Sequence, residues 1–166
     1  MLSSPRMTRW HGLALLVFIA DQAVKTLVDL NTPLGWTYPV AGFFNLVHVL
    51  NPGAAFSFLA DAGGWQRWFF LAIAIAASAW LTWMLAKPQD PRESLSFSLI
   101  LGGALGNGLD RAVRGRVIDY LDFHFQGWHW PAFNLADVAI TVGAGLMVLA
   151  SLLSKRNDKF SPVDST

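Results

Sequence analysis

The run WFFLAIAIAASAWLTWMLA, from Trp68 to Ala86, holds no charged residue over 19 positions. A hydrocarbon core of about 30 Å takes roughly 20 mostly apolar residues in a helix, so the run reads as a membrane span. The rest of the chain agrees. Its 166 residues are 54% hydrophobic and 14% charged, with a mean hydropathy of +0.41, which is unlike one soluble domain of that length. Three further segments approach spanning length. Val138 to Ser154 is uncharged and lengthens if the polar stretch from Asn134 is included. Ser94 to Leu109 is uncharged, short and glycine-rich, so its helix is expected to continue through Asp110 and Arg111. Gly12 to Leu30 has an apolar first half, GLALLVFIA, and a second half carrying Asp21, Gln22, Lys25 and Asp29.

The expected fold class is therefore mainly α and integral to a membrane: a four-transmembrane-helix bundle in one domain, residues 1–166. The spans are expected near 11–30, 67–86, 94–112 and 134–154. A secretory signal peptide competes for the first, because Arg6 and Arg9 precede a short apolar run. No small-residue cleavage site follows Ala20, and three spans would remain. With both termini cytoplasmic, seven Lys and Arg lie inside, among them Arg6, Arg9, Lys87, Arg92 and Lys155. Four lie outside, Arg67, Arg111, Arg114 and Arg116, so the positive-inside bias favours that orientation. The extracytoplasmic connections, about 31–66 and 113–133, contain the β-prone runs FFNLVHVL (Phe43 to Leu50) and VIDYLDFHF (Val117 to Phe125). A small sheet on the outer surface is expected from them. The inner connection from Lys87 to Glu93 reads as a turn, and the tail from Asn157 as unstructured.

Charge and composition exclude several functions. With 12 Lys and Arg against 11 Asp and Glu, there is no basic excess for nucleic acid. The absence of cysteine removes thiol nucleophiles, disulfides and Cys-based metal sites. The histidines His11, His48, His124 and His129 show no metal-ligand spacing, and HExxH is missing. His124 and His129, five apart, are expected on opposite faces of a strand. No GxSxG elbow is present, and a Ser–Lys pair would need Ser57 to reach Lys25.

Carboxylates remain. Asp21 and Lys25 stack at i, i+4, where mutual neutralisation competes with support of a site. Gly103, Asn107, Asp110, Arg111 and Arg114 share one face of the third span, while Gly102-xxx-Gly106 supplies small residues for close helix packing. Asn134 and Asp137 sit three apart at the outer end of the fourth span, where Asn134 is also a helix-cap candidate. Asp119 and Asp122, three apart, point to opposite faces of a strand, and spacing does not choose between them. Because the third span exits and the fourth enters on the outer side, Asp110, Asp119, Asp122 and Asp137 gather at one depth. A transporter would distribute such groups through the bilayer, so a surface-facing active site is favoured; a small proton-coupled transporter using Asp21 and Lys25 is the alternative, and a scaffold ranks third. Two nearby carboxylates share a proton, and such a pair can activate water and polarise a carbonyl.

Five runs occur in order: DQAVK (Asp21 to Lys25), NPGAAF (Asn51 to Phe56), GGALGNGLDR (Gly102 to Arg111), GRVIDY (Gly115 to Tyr120) and FNLAD (Phe133 to Asp137). In order and spacing the chain resembles the lipoprotein signal peptidases, or signal peptidase II, over about residues 10–155. The resemblance implies that Asp119 and Asp137 are the catalytic aspartates. It implies that Asn51 and Arg111 hold the substrate backbone or lipid headgroup, and that Asp21, Lys25, Gly103, Asn107, Asp110 and Asn134 support the site. It also implies an aspartic endopeptidase of the bacterial inner membrane that cleaves prolipoproteins before a diacylglyceryl-modified cysteine. Such enzymes use no metal or cofactor, contact membrane phospholipid and are inhibited by globomycin; nothing requires more than a monomer. The segment from Asn51 to Leu59 is expected to be a mobile lid.

Overall fold

A computed structural model of the chain describes residues 5–53, 63–88 and 90–159. Four long helices carry the architecture: α1 (Pro5–Asn31), α2 (Gln66–Leu85), α3 (Pro91–Val113) and α4 (Leu135–Lys159). Helix α3 is central and packs against α1, α2 and α4. Two helical stretches, Gln66–Leu85 and Leu135–Leu152, are long and apolar enough to cross a membrane. On α2 the usual inside-out rule is reversed. Gln66 and Ser78 are buried, while Trp68, Ile73, Ile75, Trp80 and Trp83 are exposed. That distribution suits a helix whose outer face meets lipid rather than water.

Local chemistry sets the ends of α3. Asp90 accepts a hydrogen bond from the Arg92 N–H at 2.8 Å, and Pro91 occupies the first turn, where no N–H is needed. At the other end Gly115 adopts φ +78°, and its N–H and that of Arg114 return to the Asp110 carbonyl. Arg67 from α2 covers two further carbonyls, donating from Nε to Arg111 O at 2.7 Å and from Nη2 to Ala112 O at 2.8 Å.

Glycines let neighbouring backbones press against α3. A Cβ placed on Gly102 would lie 2.6 Å from the Ala14 carbonyl oxygen of α1. One on Gly103 would collide with the Ala136 carbonyl of α4, and one on Gly106 with the Asp21 carboxylate. Gly103 is thus a packing residue that brings α4 close to Asn107. Gly103→Ala should destabilise the protein by about 1–3 kcal/mol through overpacking, read as the midpoint of thermal unfolding in detergent. Gly145, where an added methyl would meet nothing within 4 Å, is the control: Gly145→Ala should leave the midpoint unchanged or higher. Equal losses at the two sites would remove the close-packing argument.

A four-stranded antiparallel sheet, β1 (Thr37–Ala41), β2 (Phe44–Asn51), β3 (Val117–Phe125) and β4 (Trp128–His129), runs in the order β1-β2-β3-β4. The two strands expected from the sequence are β2 and β3. Their pairing sets Val49 opposite Asp119 and Asn51 opposite Val117, after an irregularity between Leu46 and Val49. Gln126 and Gly127 both have positive φ, 49° and 83°, as a type I′ hairpin turn demands. That turn corrects the expectation for two histidines. His124 and His129 do not occupy opposite faces of one strand; they pair across the hairpin with rings stacked at 5.0 Å. The C-terminal expectation is also corrected in part, since α4 continues helical from Asn157 through Lys159. Most of the expected lid, and Ser57 with it, lies outside the described residues.

Candidate active site

The first half of β3 is covered on both faces, and Val117 to Tyr120 are all buried. This burial places Asp119 in a low-dielectric setting, 1% exposed. Asp137 approaches from the first turn of α4, and the two carboxylates line one cavity of about 690 Å³ together with Asn51, Asn107 and Arg111.

The first turn of α4 explains how Asp137 is held. A helix start leaves N–H groups without intrahelical partners. Here Leu135 N–H donates to the Tyr120 hydroxyl at 3.1 Å, Ala136 N–H to Asp21 Oδ1 at 3.0 Å, and Asp137 N–H to Asn134 Oδ1 at 3.0 Å. The Asp137 carboxylate reaches back to the Asn134 N–H at 3.2 Å, so the pair forms a reciprocal cap. Asn134 is therefore a cap and a site residue at once. Burial pushes the Tyr120 phenol up to about 12, so it stays neutral while accepting the Leu135 bond.

Two asparagines position the carboxylates, and their amide orientations follow from their neighbours. Asn134 turns its oxygen to a backbone N–H, leaving Nδ2 to donate to Asp119 Oδ1 at 2.7 Å. Asn107 turns its oxygen to Lys25 Nζ at 2.9 Å, because an ammonium only donates, and its Nδ2 then donates to Asp137 Oδ1 at 2.8 Å. Asn51, at the end of β2, donates to Asp119 Oδ2 at 3.0 Å.

Behind this layer lies a buried ionic network. Lys25 Nζ meets Asp21 Oδ2 at 2.8 Å, Asp110 Oδ2 at 3.1 Å and Asn107 Oδ1 at 2.9 Å, three acceptors for its three protons. Lys25, Asp21 and Asp110 are all fully buried. Asp110 also accepts from Arg114 Nη1 at 2.8 Å and from the Ile118 N–H at 3.2 Å, tying α3 to the start of β3. Gln22, which the sequence reading did not place in the site, donates to Asp21, to Asp110 and to the Gly106 carbonyl. Its polarity inside the first span and its place beside Asp21 in the run DQAVK were the local signals. Arg67 was likewise absent from the expected set, whereas Arg114 was placed on the polar face of the third span but not among the residues that support the site.

Arg111 sits at the cavity wall. It donates to the Asn107 carbonyl at 3.2 Å and the Gly53 carbonyl at 2.8 Å, and its guanidinium lies 5.1 Å from the Phe70 ring centre. Its buried Nε has no hydrogen-bond partner among the described residues. All ten residues expected at the site thus form one connected unit, with Gly103 contributing packing alone. Asp122 faces elsewhere: it accepts from Asn45 Nδ2 at 2.8 Å and contacts His129 Nδ1 at 2.9 Å.

The two carboxylates differ in setting. Burial, reinforced by the charge of Asp137, raises the Asp119 carboxyl from its ordinary 3.8 to about 7, against the opposing pull of the Asn51 and Asn134 hydrogen bonds and the Lys25 charge. A carboxyl that titrates near neutrality beside a second carboxylate can exchange protons with water and with a polarised carbonyl. The described residues contain no cluster of three or more His, Cys, Asp or Glu suited to a metal ion.

The chain is similar to known proteins over nearly its whole length. The family model described as Signal peptidase (SPase) II matches residues 13–153. A lipoprotein signal peptidase of Cupriavidus necator is 53% identical over 144 residues, covering 86% of this chain and 82% of that protein. One from Aeromonas hydrophila is 50% identical over 159 residues, covering 93% and 94%. A bacterial membrane enzyme solved by the in meso method superposes with a TM-score of 0.82 at 30% identity, covering 95% of each chain. By sequence and by fold the chain belongs to the signal peptidase II family.

Proposed function

We propose that the chain is an aspartic endopeptidase with four membrane spans and both termini cytoplasmic, whose site faces the extracytoplasmic side of the bacterial inner membrane. It removes signal peptides from diacylglyceryl-modified prolipoproteins, cleaving before the lipidated cysteine. The observation that carries this reading is the Asp119 and Asp137 pair in one cavity, held on a shared asparagine scaffold. That cavity continues along Val138, Thr141 and Val142 of α4, all exposed, so acyl chains can remain in lipid while the scissile bond enters beside the carboxylates.

In the proposed reaction the pair carries one proton. The ionised carboxylate takes a proton from water as the water oxygen bonds to the scissile carbonyl carbon, while the protonated carboxyl gives its proton to the carbonyl oxygen. Collapse of the diol breaks the C–N bond. One hydroxyl returns a proton to the pair and the leaving nitrogen gains the other, so the pair ends with the proton it began with. Arg111 Nε is the free donor for the substrate backbone or headgroup, and Asn51 closes the same wall. Asp21, Lys25, Asp110 and Asn107 hold the scaffold, globomycin would occupy the cavity, and a monomer suffices. The transporter alternative loses ground because Asp21 and Lys25 are fully buried, with every Lys25 proton engaged.

Cleavage of a lipidated prolipoprotein in detergent, followed across pH, tests the proposal. An equal rate on unlipidated precursor would reject the lipid-dependent reading. The single-proton form is lost as Asp119 ionises, so the rate should fall on the alkaline side with a midpoint near 7. Asn51→Val removes a hydrogen bond that favours the carboxylate and should move that limb to higher pH; a limb that stays in place in the variant would separate it from Asp119.

A further inference from the structure

A second cavity, of about 770 Å³, opens where the start of α2 meets the end of α3, and its wall holds Arg67, Arg114 and Arg116. Two of these arginines are already committed. Arg67 caps the α3 carbonyls and stacks over Trp68 at 4.7 Å, and Arg114 meets Asp29 and Asp110. Arg116 is exposed and carries no ion pair among the described residues. The cavity therefore has a fixed basic wall and one guanidinium, that of Arg116, with no ion-pair partner among the described residues, and an indole beside them.

One turn further along the same two helices lies a separate apolar groove of about 420 Å³, lined by Leu71, Ile75 and Ser78 of α2 and by Leu105, Leu109 and Ala112 of α3. Arg67, Leu71, Ile75 and Ser78 fall at i, i+4, i+8 and i+11, so they share one helical face. At 1.5 Å per residue that face runs about 16 Å into the bundle from Arg67, a length that suits an acyl chain. Basic groups at one end and an apolar furrow beneath them form the complement of an anionic diacyl lipid.

We propose that the α2–α3 face binds one anionic phospholipid, its phosphate at Arg116 beside Arg67 and Arg114, one acyl chain along Leu71, Ile75 and Leu109. This site is distinct from the cleft that holds Asp119 and Asp137, and it does not depend on the aspartic mechanism.

Native mass spectrometry of the detergent-solubilised protein with added phosphatidylglycerol or phosphatidylcholine provides the test. One phosphatidylglycerol should be retained in preference to phosphatidylcholine. Arg116→Glu should lower its occupancy about fivefold or more, whereas Arg116→Lys should retain most of it. Ile75→Trp, which fills the exposed groove, should also lower it. Peptidase activity of Arg116→Glu should stay within about twofold of the parent, showing an intact fold and an undisturbed catalytic cleft. Retention unchanged in Arg116→Glu, equal retention of the two lipids, or displacement by millimolar inorganic phosphate alone would overturn the lipid site. Loss of activity equal to the loss of lipid in Arg116→Glu would place the lipid in the catalytic cleft and overturn the separation of the two sites.

Discussion

Asp119→Asn and Asp137→Asn should each reduce cleavage of a lipidated prolipoprotein by about 10³-fold or more, because either change removes the carboxyl pair on which both steps of the proposed reaction depend. The substitutions keep side-chain volume, so the protein should remain monodisperse. Stability provides an independent reading of the same residue. Asp119 holds its proton up to about pH 7 in the fold but only to 3.8 when its surroundings are lost. A raised folded value means that ionisation opposes folding, so the parent loses stability as pH rises from about 4 to about 7. Asp119→Asn does not titrate. Its stability relative to the parent should therefore climb across that window, by at most about 4 kcal/mol at 1.36 kcal/mol per pH unit. A variant that retains the parent rate would end the aspartic reading; a stability difference flat with pH would show that Asp119 is not in the buried setting described.

Lys25→Met should have the second largest effect, on folding rather than on chemistry. It leaves Asp21 and Asp110 buried without their cation, and breaking one partner of a buried pair costs about 3–5 kcal/mol. The neighbouring Arg114 and Gln22 remain bound to Asp110, which limits the loss at that carboxylate. Combining Lys25→Met with Asp21→Asn should cost less than the sum of the single changes, since the residues touch at 2.8 Å. Additive losses in thermal unfolding would show that the network is not one unit. Activity of Lys25→Met should fall as well, because Asn107 loses the donor that fixes its amide toward Asp137.

The sequence made the helices and much of the site readable, for different reasons. Trp68 to Ala86 needs no tertiary information, because an uncharged run of that length has few alternatives. The four expected helical segments correspond to α1 to α4, with ends displaced by several residues where caps such as Asp90 and Gly115 decide. β1 escaped notice because Pro39 interrupts it, and β4 because two residues carry no periodicity. At the site, i, i+4 arithmetic found Asp21 with Lys25. It had no means of choosing Asp119 over Asp122. The partners that draw Asp122 away, Asn45 and His129, come from two other strands, and Asn45 is 77 positions distant. Arg67 is hidden for the same reason: the carbonyls it covers lie 44 and 45 positions further on. Asn134 left capping and support of the site as separate readings, whereas the geometry lets one amide accept from the Asp137 N–H and donate to Asp119.

The placement of charge bears finally on how the chain enters a bilayer. Among the described residues, only the stretches within α2 and α4 are apolar enough to count as spans on their own; α1 and α3, which carry the buried ions, are not. Each of the latter brings a counter-ion for its buried carboxylate one turn away: Lys25 for Asp21 within α1, and Arg114, just past the end of α3, for Asp110. In the proposed four-span arrangement a nascent α1 or α3 thus arrives with its buried carboxylate already paired. Full assembly keeps those local pairs and joins them through the contact of Lys25 with Asp110, so in the proposed arrangement the site is complete only after the least lipophilic helices have been enclosed by the others.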